Sequence, residues 1–172
     1  MITGPPGAGK STVSALLVTA FEPSALVAGD AFFGFLARGA VAPWLAAAAA
    51  QNETVTEAAA LAAGRLARGG YTVIYDGVVG PWLLPTFMAA TGLARLHYAL
   101  LLPAEQDCLD RVADRVGHGF TDQAATRHMY ADFARAPLEA RHRIATADRP
   151  EVLAERIRQH ITAGSLGYPS AG

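Results

Sequence analysis

Residues 1–12 read MITGPPGAGKST, and Gly4 to Ser11 within them have the spacing G-x-x-x-x-G-K-S. An apolar strand end precedes this stretch. KSTVSALLVTAF follows it, with Val13, Leu16, Leu17 and Ala20 at i, i+3, i+4 and i+7 on one helical face. Glycines let such a loop curl until successive N–H groups point inward, and the helix N-terminus adds its positive end. The stretch is therefore expected to cradle phosphate through Gly4, Gly7, Ala8, Gly9, Lys10, Ser11 and Thr12. The alternative is an ordinary glycine-rich turn, which does not require the strand before and the helix after. Lys10 is the only lysine in the chain, against thirteen arginines. A rigid guanidinium fork is a poor replacement for an ammonium on a flexible stem inside a tight loop. Lys10 is expected to reach β- and γ-phosphates and the Ser11 hydroxyl to ligate Mg²⁺.

A chain of 172 residues suits one globular domain, here expected over 1–163 with a mobile lid at about 115–125 and a loose tail, GSLGYPSAG, at 164–172. With 52% hydrophobic and 17% charged residues and a net charge of −1, the chain can fill a core but offers no global attraction to nucleic acid or an anionic membrane. The single cysteine, Cys108, can form neither an internal disulfide nor a thiolate metal site. No basic segment followed by an apolar run opens the chain, and Pro43, Gln51, Asn52 and Glu53 interrupt the alanine-rich stretch well short of a membrane span. A cytoplasmic protein is expected. The scarcity of lysine reads as a compositional bias of the source, which does not account for Lys10.

Apolar runs of strand length alternate with helix-period stretches, the pattern of an α/β domain with a parallel sheet. Strands are expected at Met1–Thr3, Ala25–Ala28, Thr72–Tyr75, His97–Leu102 and near Arg143–Thr146. Helices are expected after the loop, over Val55–Arg68 with Asn52 as its cap, and over Ala104–Val116, Asp122–Ala136 and Glu151–Ile161. The five alanines at 46–50 read as helix propensity rather than a linker. Only three residues precede the glycine loop, so either the first strand is unusually short or the natural start lies further upstream.

Several side chains are candidates for chemistry beyond phosphate binding. Asp30, just past the second strand in ALVAGDAFFGF, can accept a proton from an attacking hydroxyl or cap the helix that follows. Asp76 ends TVIYD, where a carboxylate can hold Mg²⁺ through water or touch substrate, or simply make an Asp-Gly turn. Arg111 and Arg115 lie at i, i+4 before the glycine-bearing VGHGF; they can close over nucleotide and transferred phosphate, or pair with Asp107, Asp110 and Asp114. His118 can contact substrate or face solvent. Arg149 and Pro150 can wrap a nucleobase or start the last helix. The chain has no second lysine for an N-K-x-D guanine reader, no LSGGQ, and is short for an AAA+ module with its small helical domain, which leaves a compact kinase.

On these residues the chain resembles the small P-loop phosphotransferases that include gluconate kinase, shikimate kinase and chloramphenicol phosphotransferase. GPPGAGKS is the specific part. Asp30 after the second strand and TVIYD ending in Asp76 are similar to the chloramphenicol-type enzymes, and RVADRVGHGF is similar to the gluconate-kinase lid, which would make Arg115 its phosphate-contacting arginine. The resemblance implies a three-layer α/β fold like that of nucleoside-monophosphate kinases, with a five-stranded parallel sheet in the order 2-3-1-4-5. It also implies Mg²⁺ with ATP or GTP, and transfer to a hydroxyl of a small molecule. The shikimate branch has arginine-bearing substrate sites, whereas Phe32, Phe33, Phe35, Leu36, Trp44 and Trp82 here accompany only Arg38. Aromatics at this density serve as core or line a cleft beside Asp30. A partly apolar acceptor, such as an antibiotic, is the first expectation. The others are a nucleoside, nucleotide or sugar kinase, and a nucleotide-dependent protein that sequesters a drug without modifying it.

Overall fold

The computed structural model describes residues 1–114, 121–144 and 148–169. Its first half runs β1 (Ile2–Thr3), α1 (Lys10–Val18), β2 (Ser24–Ala28), α2 (Asp30–Phe33), α3 (Ala49–Arg68) and β3 (Thr72–Asp76). The second runs α4 (Leu84–Thr91), β4 (Arg95–His97), β5 (Ala99–Leu101), α5 (Glu105–Ala113), α6 (Gln123–Arg135), β6 (Arg143–Ile144), α7 (Pro150–Thr162) and β7 (Gly167–Pro169). Five parallel strands form a sheet in the order β2-β3-β1-β5-β6. β4 pairs instead with β7 in a separate antiparallel ribbon. With β4 set aside, the order is the 2-3-1-4-5 implied by the resemblance.

A parallel sheet must be covered on both faces, and alternation along each strand supplies apolar side chains to both. On one face Ile2, Ile74 and Leu101 pack with Leu17 of α1 and Leu153 and Ile157 of α7. On the other, Val27 and Tyr75 pack with Ala59, Ala60 and Ala63 of α3 and Phe87 of α4. A third cluster joins Leu84 and Met88 to Tyr98, Leu100 and Phe133. Among the described residues no helix is long and apolar enough to cross a membrane.

Four local expectations are corrected. α3 begins at Ala49, so Asn52 lies inside it and caps nothing; its Nδ2 donates to the Pro43 carbonyl at 2.6 Å. The strand expected over His97–Leu102 is divided at Tyr98, whose N–H turns to the Leu166 carbonyl while that of Ala99 bonds to Met1. α4 was not anticipated, although Leu84, Phe87, Met88 and Thr91 have helical spacing and are all buried. It is short, and its proline and its closing Gly92 read as turn signals. The final segment, expected to be loose, holds β7 through 169, with Leu166 buried and the Tyr168 ring 5.9 Å from that of Tyr98. Within the expected lid, 115–120 fall outside the described residues, and 123–125 open α6.

α3 and α4 approach closely because α3 presents alanines and Gly64. A Cβ at Gly64 would lie 2.2 Å from the Thr91 carbonyl oxygen, on backbone that cannot swing aside. Gly64→Ala gains about 1 kcal/mol of helix propensity but overpacks the seam at about 1–3 kcal/mol. Net destabilisation is expected, read as a lower urea midpoint with an unchanged slope; a raised midpoint would contradict this packing.

Candidate active site

Thr3 ends β1 buried, its hydroxyl donating to the Val79 carbonyl at 3.0 Å and accepting the Val79 N–H. This ties the loop after β3 to the base of the glycine loop. Gly7 and Gly9 then take φ of 79° and 90°, left-handed values that other residues rarely adopt. Gly7 also rests on α5: a Cβ there would come within 2.2 Å of the Cys108 carbonyl oxygen. The Ala8 N–H bonds to the Pro5 carbonyl at 3.2 Å, and Lys10 Nζ arches back to the same oxygen at 3.1 Å. Lys10 is 8% exposed, so its ammonium is held within the loop rather than in solvent. Gly9 caps α1 without a side-chain hydrogen bond, so no cap side chain competes with an anion for the N–H groups of the first turn.

Register places two carboxylates beside this loop. β2 and β3 pair from Ser24 opposite Thr72 to Ala28 opposite Asp76, and the Gly29 N–H continues to the Asp76 carbonyl at 2.7 Å. Asp30, the next residue, is the exposed first residue of α2; the cap position belongs to Gly29, so Asp30 is not the N-cap. Burial pushes the Asp76 carboxyl above its ordinary value, while a hydrogen bond from the Ser11 hydroxyl and the Lys10 ammonium pull it down, and Asp30 raises it again. Lys10, Ser11, Asp30 and Asp76 are thus one electrostatic group. Asp76 Oδ1 is buried without a protein partner, a hard oxygen beside the Ser11 hydroxyl that fits a Mg²⁺ site of one carboxylate, one hydroxyl and phosphate oxygens.

Arg111 Nη1 donates to the Gly7 carbonyl at 3.3 Å, which sets the guanidinium over the loop; no ion pair among the described residues joins it to Asp107, Asp110 or Asp114. Arg115 and His118 lie outside the described residues. Pro150 is the first residue of α7 and Arg149 precedes it, exposed, with no described hydrogen bond to the glycine loop. Thr12 is exposed on the first turn of α1.

The aromatic side chains divide between two environments. Phe32 and Phe33 are half-buried on α2, and Phe32 packs into the α3 side and edge-on to Phe35 at 5.3 Å. Phe35 itself is 75% exposed. Trp82 lies across Gly80 and 5.1 Å from Phe133 of α6, half its surface open to solvent.

Sequence reasoning missed Tyr75 and Cys108. The Tyr75 ring packs edge-on to Phe87 at 4.7 Å, and a Cβ on Gly29 would come within 2.2 Å of its hydroxyl oxygen, so Tyr75 fixes the turn that delivers Asp30. Alternation in TVIYD was the available signal, since it turns Tyr75 to the face opposite Asp76. Cys108 acts through its backbone as the seat of Gly7, for which the sequence holds no signal.

A family model described as an AAA domain matches residues 1–137, a span that holds the loop, Asp30, Asp76 and Arg111. No curated protein matches the chain. The tunicamycin resistance protein of Deinococcus radiodurans superposes with a TM-score of 0.70 at 16% identity, covering 93% of this chain and 92% of that one. An unliganded sugar kinase from Janibacter sp. HTCC2649 superposes with a TM-score of 0.70 at 18% identity, covering 94% of this chain and 92% of that one. At these identities the likeness is one of fold.

Burial of Asp76 makes a specific prediction. Its raised value means the native state holds the proton more tightly than the unfolded chain, so the carboxyl adds stability as pH falls from its folded value toward the ordinary 3.8 and subtracts it above. Asp76→Asn should therefore be at least as stable as the parent at pH 7 and lose that part of the pH dependence, while Mg²⁺-supported nucleotide affinity falls tenfold or more by calorimetry. A variant that unfolds at pH 7, or binds Mg²⁺-nucleotide like the parent, would contradict this placement.

Proposed function

The chain belongs to the AAA domain family, and from that premise we propose that it is a kinase-like P-loop protein, a Mg²⁺-dependent phosphotransferase that moves the γ-phosphate of ATP or GTP to a hydroxyl of a small, partly apolar molecule. The observation that carries the reading is the meeting of Lys10, Ser11, Asp76 and exposed Asp30 at the carboxyl ends of β2 and β3. That rim is where open parallel sheets take ligands.

In the proposed reaction the loop N–H groups and Lys10 hold the phosphates, and Ser11 and Asp76 would hold a Mg²⁺ ion, which would supply neutralisation of charge on the phosphate oxygens. Asp30 accepts the proton of the acceptor hydroxyl as its oxygen bonds to the γ-phosphorus. The bond from that phosphorus to the bridging oxygen breaks, and nucleoside diphosphate leaves. Arg111, anchored on Gly7, extends the positive wall of the loop.

Phe32, Phe33, Phe35 and Trp82 around this end of the sheet favour an acceptor with apolar surface over a sugar acid. The tunicamycin resistance protein and the sugar kinase among the structural neighbours make hydroxylated antibiotics and sugars the first acceptors to try. A nucleotide kinase would grip an acceptor phosphate with arginines, but Arg68 instead donates to the Thr91 carbonyl at the end of α4.

Incubation with γ-labelled ATP or GTP, Mg²⁺ and a panel of hydroxylated antibiotics, sugars and nucleosides is expected to add one phosphate to an acceptor, read by mass. Asp30→Asn should lower kcat by about 100-fold or more while nucleotide affinity stays within about threefold. Retention of drug binding or protection by Asp30→Asn, with no phosphate added by the parent, would instead identify a sequestering protein.

A further inference from the structure

Tyr75 is 5% exposed, with its ring edge-on to Phe87 and in one apolar cluster with Phe32 of α2 and Val79. Two glycines make room for its tip. A Cβ on Gly29 would lie 2.2 Å from the phenolic oxygen and 2.6 Å from Cζ, and one on Gly77 would lie 2.8 Å from Cε1 and 3.1 Å from the oxygen. Neither glycine is required by its own backbone, since Gly29 has φ −60° and Gly77 has no positive φ. The ring is what excludes a side chain there. Because Gly29 precedes Asp30 and Gly77 follows Asp76, the phenol tip lies between the two turns that carry the carboxylates.

That tip is polar and unpaired. Among the described residues the Tyr75 oxygen has no hydrogen-bond partner, and unlike Asp76 Oδ1 it is not sealed from water. The small exposed part of this residue therefore includes its hydroxyl. Burial, then Asp30 and then Asp76 push the phenol above its ordinary value, so at neutral pH it keeps its proton and can donate it in a hydrogen bond. Gly29 Cα lies no more than about 3.7 Å from this oxygen, and Asp30 Cα one peptide step of about 3.8 Å beyond. One small molecule spans that distance.

We propose that the Tyr75 hydroxyl contacts the acceptor directly, donating a hydrogen bond to a second oxygen of that molecule beside the hydroxyl that gives its proton to Asp30. This rests on the phosphotransferase reading above and narrows its substrate class. The acceptor carries oxygens on adjacent or next-adjacent carbons, as a sugar diol does. The attacking oxygen is itself a poor partner, because a donated hydrogen bond would draw on the electron pair that forms the bond to phosphorus. Nor is the metal the natural partner, since alternation along β3 turns Tyr75 away from the face where Asp76 meets Ser11 and Lys10. Phe32, half-buried in the same cluster, sets an apolar wall beside this one polar tip.

The test pairs an acceptor phosphorylated by the parent with its analogue lacking the neighbouring oxygen, and the parent with Tyr75→Phe, which keeps the ring between the two glycines. The parent should prefer the complete acceptor by about tenfold in kcat/KM, the worth of one hydrogen bond to a neutral group, and Tyr75→Phe should show no preference. A parent without preference, or a preference kept by Tyr75→Phe, would overturn the proposal; a purely structural role slows both acceptors alike and gives the second result. A fall in Mg²⁺-nucleotide affinity on Tyr75→Phe would also overturn it, by putting the hydroxyl on the metal or the phosphates. If the parent transfers no phosphate to any compound, the phosphotransferase reading fails by itself, and the comparison is made by calorimetry on the compound the parent binds most tightly and its analogue. The same loss of preference then sustains the contact, and an unchanged preference, or no binding at all, overturns it.

Discussion

Two residues of β1 hold the centre of this molecule. Ile2 lies opposite both Asp76 and Ala99, and Thr3 opposite Leu100, so the glycine loop leaves the sheet at the level where β3 ends. That single register decides which side chains can meet. It places Ser11 and Lys10, at the start of α1, beside the Asp76 carboxylate. Because β2 is in register with β3 over its whole length, it also delivers Asp30 to the same rim. A shift of one residue in either pairing would exchange the faces of the strand and separate the group.

Close backbone approach reinforces this register. Gly7 rests on the Cys108 backbone and Gly29 on the Tyr75 hydroxyl, each at a distance that admits no Cβ. The first contact couples the loop to α5, and hence to Arg111; the second couples the turn bearing Asp30 to β3. Tyr75 and Asp76 are neighbours that face opposite layers, so one strand end supports the Asp30 turn from beneath and presents a carboxylate above. The site is built from close contacts at two glycines that span four segments, which suits a pocket that must keep its shape around phosphate.

How much of this was legible beforehand follows from range. The glycine loop, its helix and the apolar strands are local patterns, and they gave the α/β class and the positions of Lys10, Ser11, Asp30 and Asp76 along the chain. α4 was hidden by its own brevity, since eight residues opening near Pro85 and closing at Gly92 look like a loop until Leu84, Phe87, Met88 and Thr91 are seen to be buried together. β7 was hidden because GSLGYPSAG is turn-rich, and only pairing with Arg95–His97 makes Gly167–Pro169 a strand. The seat of Gly7 on Cys108 depends on two segments about a hundred residues apart, and no local pattern encodes it.

Burial separates the two carboxylates that sequence alone left equivalent. Asp76 is partly withdrawn from water, with one oxygen unpartnered and a carboxyl value raised by that withdrawal, yet it lies against the Ser11 hydroxyl and the Lys10 ammonium. A carboxylate in that setting gains most from a cation, which would restore the charge stabilisation that burial removes. Asp30 stands exposed at the start of a four-residue helix with solvent on its outer side, where a molecule can approach it without displacing protein atoms. Environments that differ this far assign different tasks to like groups. The division proposed, metal to Asp76 and acceptor hydroxyl to Asp30, gives each carboxylate the partner its surroundings leave room for.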